Sequence, residues 1–334
     1  ETGIGRWSRE DFSRAVREGV SPGGEHLYPA FPYTAFTKLS DADVAALYAY
    51  FKTVRAAKSA APPNEMRFPY NQRWALGLWK KLYFEQGRFT ADQGKSAEWN
   101  RGAYLVQALG HCGACHSPRN FVGAESTDKA MAGGEYTDKV PGGELRLWST
   151  PNITPAAVGL RSWSVDDLAA YLKTGRNSFA ETFGPMNEVI VNSTRNLSDA
   201  DVHAMATYLK GLPAHEAEAA GAPGAEVLQT GENLYSVNCG TCHLPTGLGS
   251  TDERSGARLA GSPVVQAGSP AALINVILYG PQLAEPPLAK GWKPMEGFGD
   301  KLADDEVAAL STYLRNAWGN KGAAVTVEQV AKQR

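Results

Sequence analysis

Three stretches of the chain repeat one arrangement of polar and apolar positions. Leu39-Ser-Asp-Ala-Asp-Val-Ala-Ala-Leu-Tyr-Ala-Tyr50 recurs as Leu197-Ser-Asp-Ala-Asp-Val-His-Ala-Met-Ala-Thr-Tyr208, and again as Leu302-Ala-Asp-Asp-Glu-Val-Ala-Ala-Leu-Ser-Thr-Tyr313. Each predicts a helix. Ser or Asp at the start caps free N–H groups, acids occupy the first turn where the helix dipole favours them, and apolar residues follow at helical spacing. A second pattern lies upstream. Trp7-Ser8-Arg-Glu-Asp-Phe12 matches Trp163-Ser164-Val-Asp-Asp-Leu168, and both runs end at a glycine, Gly19 and Gly175. A weaker third copy runs from Leu273 to Gly280. Helical segments at Asn100-Arg-Gly102-Ala-Tyr104 and Gly231-Glu-Asn-Leu-Tyr235 lead to Cys112 and Cys239.

Self-similarity of this kind marks repeated structural units. A full unit reads as a helix, a cysteine motif, loops, a middle helix, a further loop and a closing helix that carries the repeated Tyr. The expected organisation is the C-terminal part of a first unit over 1–58, and a linker with a short aromatic helix over 59–95. A second unit over 96–213, a linker over 214–224, a third unit over 225–320 and a tail over 321–334 follow. The first repeat begins at its middle helix. Counting back from residue 31, as the other repeats are spaced, runs off the start of the chain, so a first cysteine motif is expected before Glu1.

The motifs themselves are Cys112-Gly-Ala-Cys115-His116 and Cys239-Gly-Thr-Cys242-His243, which together use all 4 cysteines. Cys-x-x-Cys-His is the pattern of covalent c-type haem attachment. The two sulfurs, about one helical turn apart, form thioethers to the porphyrin, and the next residue aims an imidazole at the iron. Zinc ribbons place their second pair roughly 15–20 residues after the first, much closer than Cys115 is to Cys239. Disulfides would leave the repeated histidine unexplained.

Composition narrows the picture further. A chain of 334 residues suits two or three domains, and 43% hydrophobic residues support packed cores. A formal net charge of −2 carries no nucleic-acid signature, and 35 Gly with 20 Pro imply many loops. No apolar run reaches the roughly 18 residues of a membrane span, and Glu1 opens no signal peptide. Because c-type haem is attached on the outer face of energy-conserving membranes, the protein is expected to be exported to the periplasm.

A haem iron in an electron carrier is held on both faces, and a His–Met pair raises its potential. Met186, in Phe183-Gly-Pro-Met186, and Met295, in Lys293-Pro-Met295, lie on proline-stiffened loops before their closing helices. They are the candidate partners of His116 and His243. Met205 reads as helix core, Met131 has no repeated position and Met66 lies in the linker. The matching loop of the first repeat, Tyr28 to Leu39, holds no Met, which makes His26 the leading alternative ligand there. Arg119, Asn152 and Arg258 are candidate haem-propionate contacts, each weighed against an ordinary solvated or turn role.

With these motifs in place, the chain resembles the triheme cytochrome c subunit of bacterial periplasmic membrane-associated dehydrogenases. Relatives serve alcohol, gluconate, sorbitol and fructose dehydrogenases, and molybdenum aldehyde, nicotinate and isoquinoline oxidoreductases. Tyr28-Pro-Ala-Phe-Pro-Tyr33, Phe68-Pro-Tyr-Asn-Gln-Arg-Trp74, Gly110-His-Cys-Gly-Ala-Cys-His116, Pro151-Asn-Ile-Thr154, Gly184-Pro-Met186 and Trp318-Gly-Asn320 carry the resemblance. It implies haem c, two in this chain and a third on the segment before Glu1. It also implies a catalytic dehydrogenase subunit of flavin, quinoprotein or molybdenum type as partner, and quinone or a terminal oxidase as acceptor. Attachment to the outer face of the inner membrane would come through partners. Pattern and resemblance together predict an all-α fold of tandem class I cytochrome c-like domains, with Gly/Pro-rich loops and little or no sheet. The expected role is electron transfer without substrate chemistry. The rivals are a free-standing periplasmic shuttle and a multihaem peroxidase, the latter disfavoured by a methionine at both complete sites.

Overall fold

The computed structural model describes residues 2–60, 62–63, 65–140, 142–218, 220–249, 256–284, 288 and 294–334. Residues through Ala114 form one compact unit and Cys115–Arg334 form a second.

In the first unit, helix α1 (Arg9–Glu18) starts under Ser8. The Ser8 hydroxyl accepts the Asp11 N–H at 3.0 Å, and the Asp11 carboxylate accepts the Ser8 N–H at 3.3 Å. The helix stops at Gly19 with φ 60°, where a Cβ would lie 2.3 Å from the Tyr33 ring. Only glycine combines that backbone with that approach. A single turn, α2 (Tyr33–Phe36), precedes α3 (Asp41–Thr53), which is capped by Ser40. Helices α4 (Arg73–Tyr83) and α5 (Ala97–Tyr104) follow, and α5 runs into a wider π-turn over Leu105–Leu109. Phe12, Val16, Leu39, Val44, Tyr104 and Ala108 form the core. Within it the Tyr104 hydroxyl donates to Asp43 and accepts the Ser40 N–H at 3.0 Å. Buried Arg17 donates to the Leu39 carbonyl at 2.9 Å and pairs with Asp41 at 2.6 Å, which ties α1 to the start of α3.

The short helix α6 (Gly113–His116) leads into the second unit. There the chain departs from the all-α expectation. Strands β1 (Gly134–Lys139) and β2 (Leu145–Thr150) pair antiparallel, Gly134 opposite Thr150 and Lys139 opposite Leu145. Among the described residues 43% are helical, and this two-stranded sheet is present as well. The physical reason is local and tertiary at once. Gly142 and Gly143 take φ 107° and 89°, which turns the chain tightly. Trp148 on β2 is then buried against Phe183, with ring centroids 6.1 Å apart, in a cluster with Val140 and Ala272.

Helices α7 (Val165–Thr174), α8 (Met186–Asn192) and α9 (Asp199–Lys210) come next. Then follow α10 (Ala225–Asn238), α11 (Gly240–His243), α12 (Ala271–Tyr279), α13 (Asp304–Leu314) and α14 (Val327–Ala331). Ser164 and Asp167 rebuild at α7 the reciprocal cap seen on α1, and α7 ends at Gly175 with φ 78°. Helix α13 keeps half of that device. The Ala303 N–H donates to Glu306 at 2.9 Å, but Ala303 has no hydroxyl to return. Ala303→Ser is expected to raise stability by about 1 kcal/mol, measured as a higher denaturation midpoint.

The core of this part sits where α10 crosses α13, with Tyr235, Leu273, Ile274, Ile277, Val307, Leu310 and Leu314 buried together. Arg315, 2% exposed, donates to the carbonyls of Val265 (2.9 Å), Ala267 (2.8 Å) and Ala323 (2.9 Å). Burial lowers its pKa to about 10. The cation is matched by carbonyl dipoles instead of a carboxylate, and it pins two loops beneath the end of α13.

Candidate haem sites

Each Cys-x-x-Cys-His run folds as a short helix whose histidine is its last residue, α6 for His116 and α11 for His243. The four sulfurs form no disulfide. Among the described residues, no group of three His, Cys, Asp or Glu gathers as metal donors, which is what a zinc site would need. Burial raises the thiol pKa of Cys115, and that of Cys239 to about 11.

The two histidines share an environment that the sequence pattern does not single out. His116 Nδ1 lies 2.9 Å from the Pro151 carbonyl, and His243 Nδ1 lies 2.7 Å from the Ala257 carbonyl. A carbonyl only accepts, so in both rings Nδ1 carries the proton and Nε2 keeps its lone pair. Burial lowers both pKa values, with the carbonyl bond acting in the opposite sense, and so favours the neutral imidazole. A neutral ring with a fixed tautomer and its Nε2 lone pair kept has the form in which a histidine can ligate a metal, with a supporting acceptor in place. The residues therefore fit a haem at each motif.

Glycines let the backbone pack closely on both motifs. At the first motif the Cys115 carbonyl accepts the Thr150 hydroxyl at 2.7 Å, and the His116 carbonyl accepts the Gly133 N–H at 2.8 Å. A Cβ on Gly134 would meet the Ser117 and Cys115 carbonyls at 2.7 and 2.8 Å, so the start of β1 packs directly on the motif. At the second motif a Cβ on Gly256 would lie 2.5 Å from the His243 ring. The Gly133-Gly134 pair was the available sequence signal. Gly256 had none, because its partner ring is reached through a loop.

The candidate sixth ligands lie in the second unit. Met186 is the first residue of α8, directly after Pro185, and is half-buried. Its loop is anchored twice to the Gln282 carbonyl, by the Gly184 N–H at 2.8 Å and the Asn187 side chain at 2.6 Å. Met295 is half-buried, and its carbonyl would meet a Cβ on Gly280 at 2.6 Å.

The propionate candidates are engaged with protein. Arg119 donates to the Gly123 carbonyl at 2.6 Å and pairs with Glu125 at 3.2 Å. Asn152 is buried; its amide donates to the His215 carbonyl at 2.7 Å and its oxygen accepts the Thr154 N–H at 2.8 Å. Arg258 donates to the Ala260 carbonyl at 2.8 Å and lies 5.2 Å over the Phe179 ring. In the first unit His26 Nδ1 lies 3.3 Å from Lys80 Nζ, and burial together with that ammonium lowers its pKa.

Residues 226–314, from α10 to the end of α13, match the family described as subunit III of the cbb3-type cytochrome c oxidase. Over nearly its whole length the chain is similar to curated dehydrogenase subunits. It is 36% identical to the cytochrome c subunit of a quinone alcohol dehydrogenase of Gluconacetobacter polyoxogenes, covering 99% of this chain and 73% of that one. The chain belongs to the dehydrogenase cytochrome c subunits. It is also 35% identical to the fructose dehydrogenase cytochrome subunit of Gluconobacter japonicus, over 99% of this chain and 72% of that one. It is 40% identical to a nicotinate dehydrogenase subunit of Pseudomonas putida, over 95% of this chain but only 26% of that much longer protein. Membership makes haem c the cofactor. It also makes the chain an electron-transfer component and not a catalytic subunit.

Proposed function

We propose that this chain accepts electrons from a catalytic dehydrogenase subunit in the periplasm and passes them toward quinone or a terminal oxidase. Haem c would be held at Cys112, Cys115 and His116, and at Cys239, Cys242 and His243. Met186 and Met295 would complete the respective ligand sets of the iron. The observation that carries this reading is the matched pair of neutral histidines, each with Nδ1–H on a backbone carbonyl. A haem c bound at each motif supplies one-electron exchange. The protein's own part is positional. The cysteines would fix the group, the carbonyls of Pro151 and Ala257 would make Nε2 a better donor, and Gly134 and Gly256 let the backbone pack against the motifs. A thioether ligand from Met186 or Met295 would favour the reduced state.

The relatives are named as subunits of alcohol, fructose, gluconate and nicotinate dehydrogenases. They support a dehydrogenase partner while spanning several substrate classes. Co-expression with the neighbouring reading frames and co-purification of a large dehydrogenase would test the partnership; a chain that purifies alone and shuttles freely would overturn it. Ligation is tested separately. Met186→His is expected to lower the reduction potential of one of two redox centres and leave the other in place, read in a potentiometric titration. An unchanged titration would remove Met186 from the ligand set.

A further inference from the structure

Helix α4 has one face tied down and the other left bare. Lys80 donates to the carbonyls of Glu18 and Gly19, the latter at 3.2 Å, and its ammonium lies 5.0 Å over the Tyr33 ring. Arg73 donates to the His26 carbonyl at 2.8 Å and lies 5.0 Å over the Tyr28 ring. These contacts fasten the inner side of α4 to the end of α1 and the loop after it. Outward, Trp74, Leu78 and Leu82 follow at i, i+4 and i+8, with 75%, 58% and 65% of their surface exposed. Just before the helix, Phe68 and Tyr70 are 77% and 66% exposed. A run of exposed aromatic and leucine side chains of this kind marks an interaction surface.

Charge says which kind. From Lys52 to Arg88 the sequence holds eight Lys or Arg against two Glu, whereas the rest of the chain holds twenty-five against thirty-three acids. Arg55, Lys58, Arg67 and Lys81 in this stretch are exposed. A basic segment on an otherwise acidic protein, with Trp, Tyr, Phe and Leu projecting from a short amphipathic helix, has the composition of an element that lies in the headgroup layer of an anionic bilayer. It is too short to cross one: no helix among the described residues is long and apolar enough to span a membrane.

We propose that α4 and the aromatic stretch before it dock this subunit onto an anionic phospholipid surface, Trp74, Leu78 and Leu82 entering the interface and the flanking cations pairing with lipid phosphates. The inference is independent of haem ligation and of the identity of the dehydrogenase. A pyridine haemochrome spectrum of the same sample reports haem content separately.

The test is co-sedimentation of the haem-loaded chain with vesicles of phosphatidylglycerol and phosphatidylcholine, against vesicles of phosphatidylcholine alone. Binding to the anionic vesicles is expected, weakened by high salt. The triple variant Trp74→Ser, Leu78→Ser, Leu82→Ser is expected to lose roughly tenfold or more in partitioning. Charge reversal at Arg55, Lys58 and Arg67 to Glu is expected to abolish the preference for anionic lipid. All six side chains are exposed, so the haem spectrum and circular dichroism should not change. Failure of the wild type to bind anionic vesicles, or triple and charge-reversed variants that both bind as well as it does, would overturn the proposal. In the first case a partner protein covers the stripe.

Discussion

Cys239→Ser with Cys242→Ser is expected to remove half of the covalently bound haem of this chain while leaving the first motif loaded. Denaturing electrophoresis with haem staining, and a pyridine haemochrome assay per mole of protein, measure the loss. The expectation rests on the separateness of the two sites. At the first motif Pro151 supports His116 and Thr150, the last residue of β2, donates to the Cys115 carbonyl, whereas His243 is supported by Ala257 and Gly256 on a different loop. No support residue is shared, so losing one group should not unload the other. The mirror substitution, Cys112→Ser with Cys115→Ser, should likewise leave the second motif loaded. A pair of variants that each lose all haem would mean one coupled site. Unchanged haem in either would mean that the cysteines do not attach it.

Much of this was legible because the relevant signals are local. The Ser-Asp starts of α3 and α9, and the Ser-x-x-Asp starts of α1 and α7, are caps whose donor and acceptor lie three residues apart. Gly19 and Gly175, the glycines at which the repeated runs end, close their helices in the left-handed region. The cysteine motifs are contiguous. What the sequence hid was non-local. The alternation Leu145-Arg-Leu-Trp-Ser-Thr150 and the Gly142-Gly143 turn were available as a hairpin signal, but a two-stranded sheet is stable only with something packed on it. Its supports, Phe183 and Ala272, lie far along the chain. The acceptors that fix the histidine tautomers are backbone carbonyls, and any residue supplies one. For the same reason Asn152 could be flagged as polar and near the haem loop, while its buried bond to the His215 carbonyl could not be foreseen.

Gly231→Ala is expected to destabilise the second unit by about 3 kcal/mol or more, because it strikes the closest crossing in its core. A Cβ at that position would lie 2.3 Å from the Ala309 carbonyl oxygen and 2.5 Å from Tyr313 Cβ. The obstacle is mostly backbone, so no rotamer change relieves it; α10 and α13 have to separate. Separation would also open the cluster in which Tyr235 sits 5.0 Å from Trp318 and 5.7 Å from Tyr313. Trp318 in turn donates to the Pro245 carbonyl at 3.0 Å, two residues beyond His243, so the strain reaches the second motif. Two readouts therefore move together: a lower midpoint in denaturant, and slower or incomplete haem loading at Cys239 and Cys242 with normal loading at Cys112 and Cys115. By comparison, Gly221→Ala, where nothing lies within 4 Å of the added carbon, should change neither. If Gly231→Ala unfolds at the wild-type midpoint, α10 and α13 do not pack in solution as closely as this crossing requires.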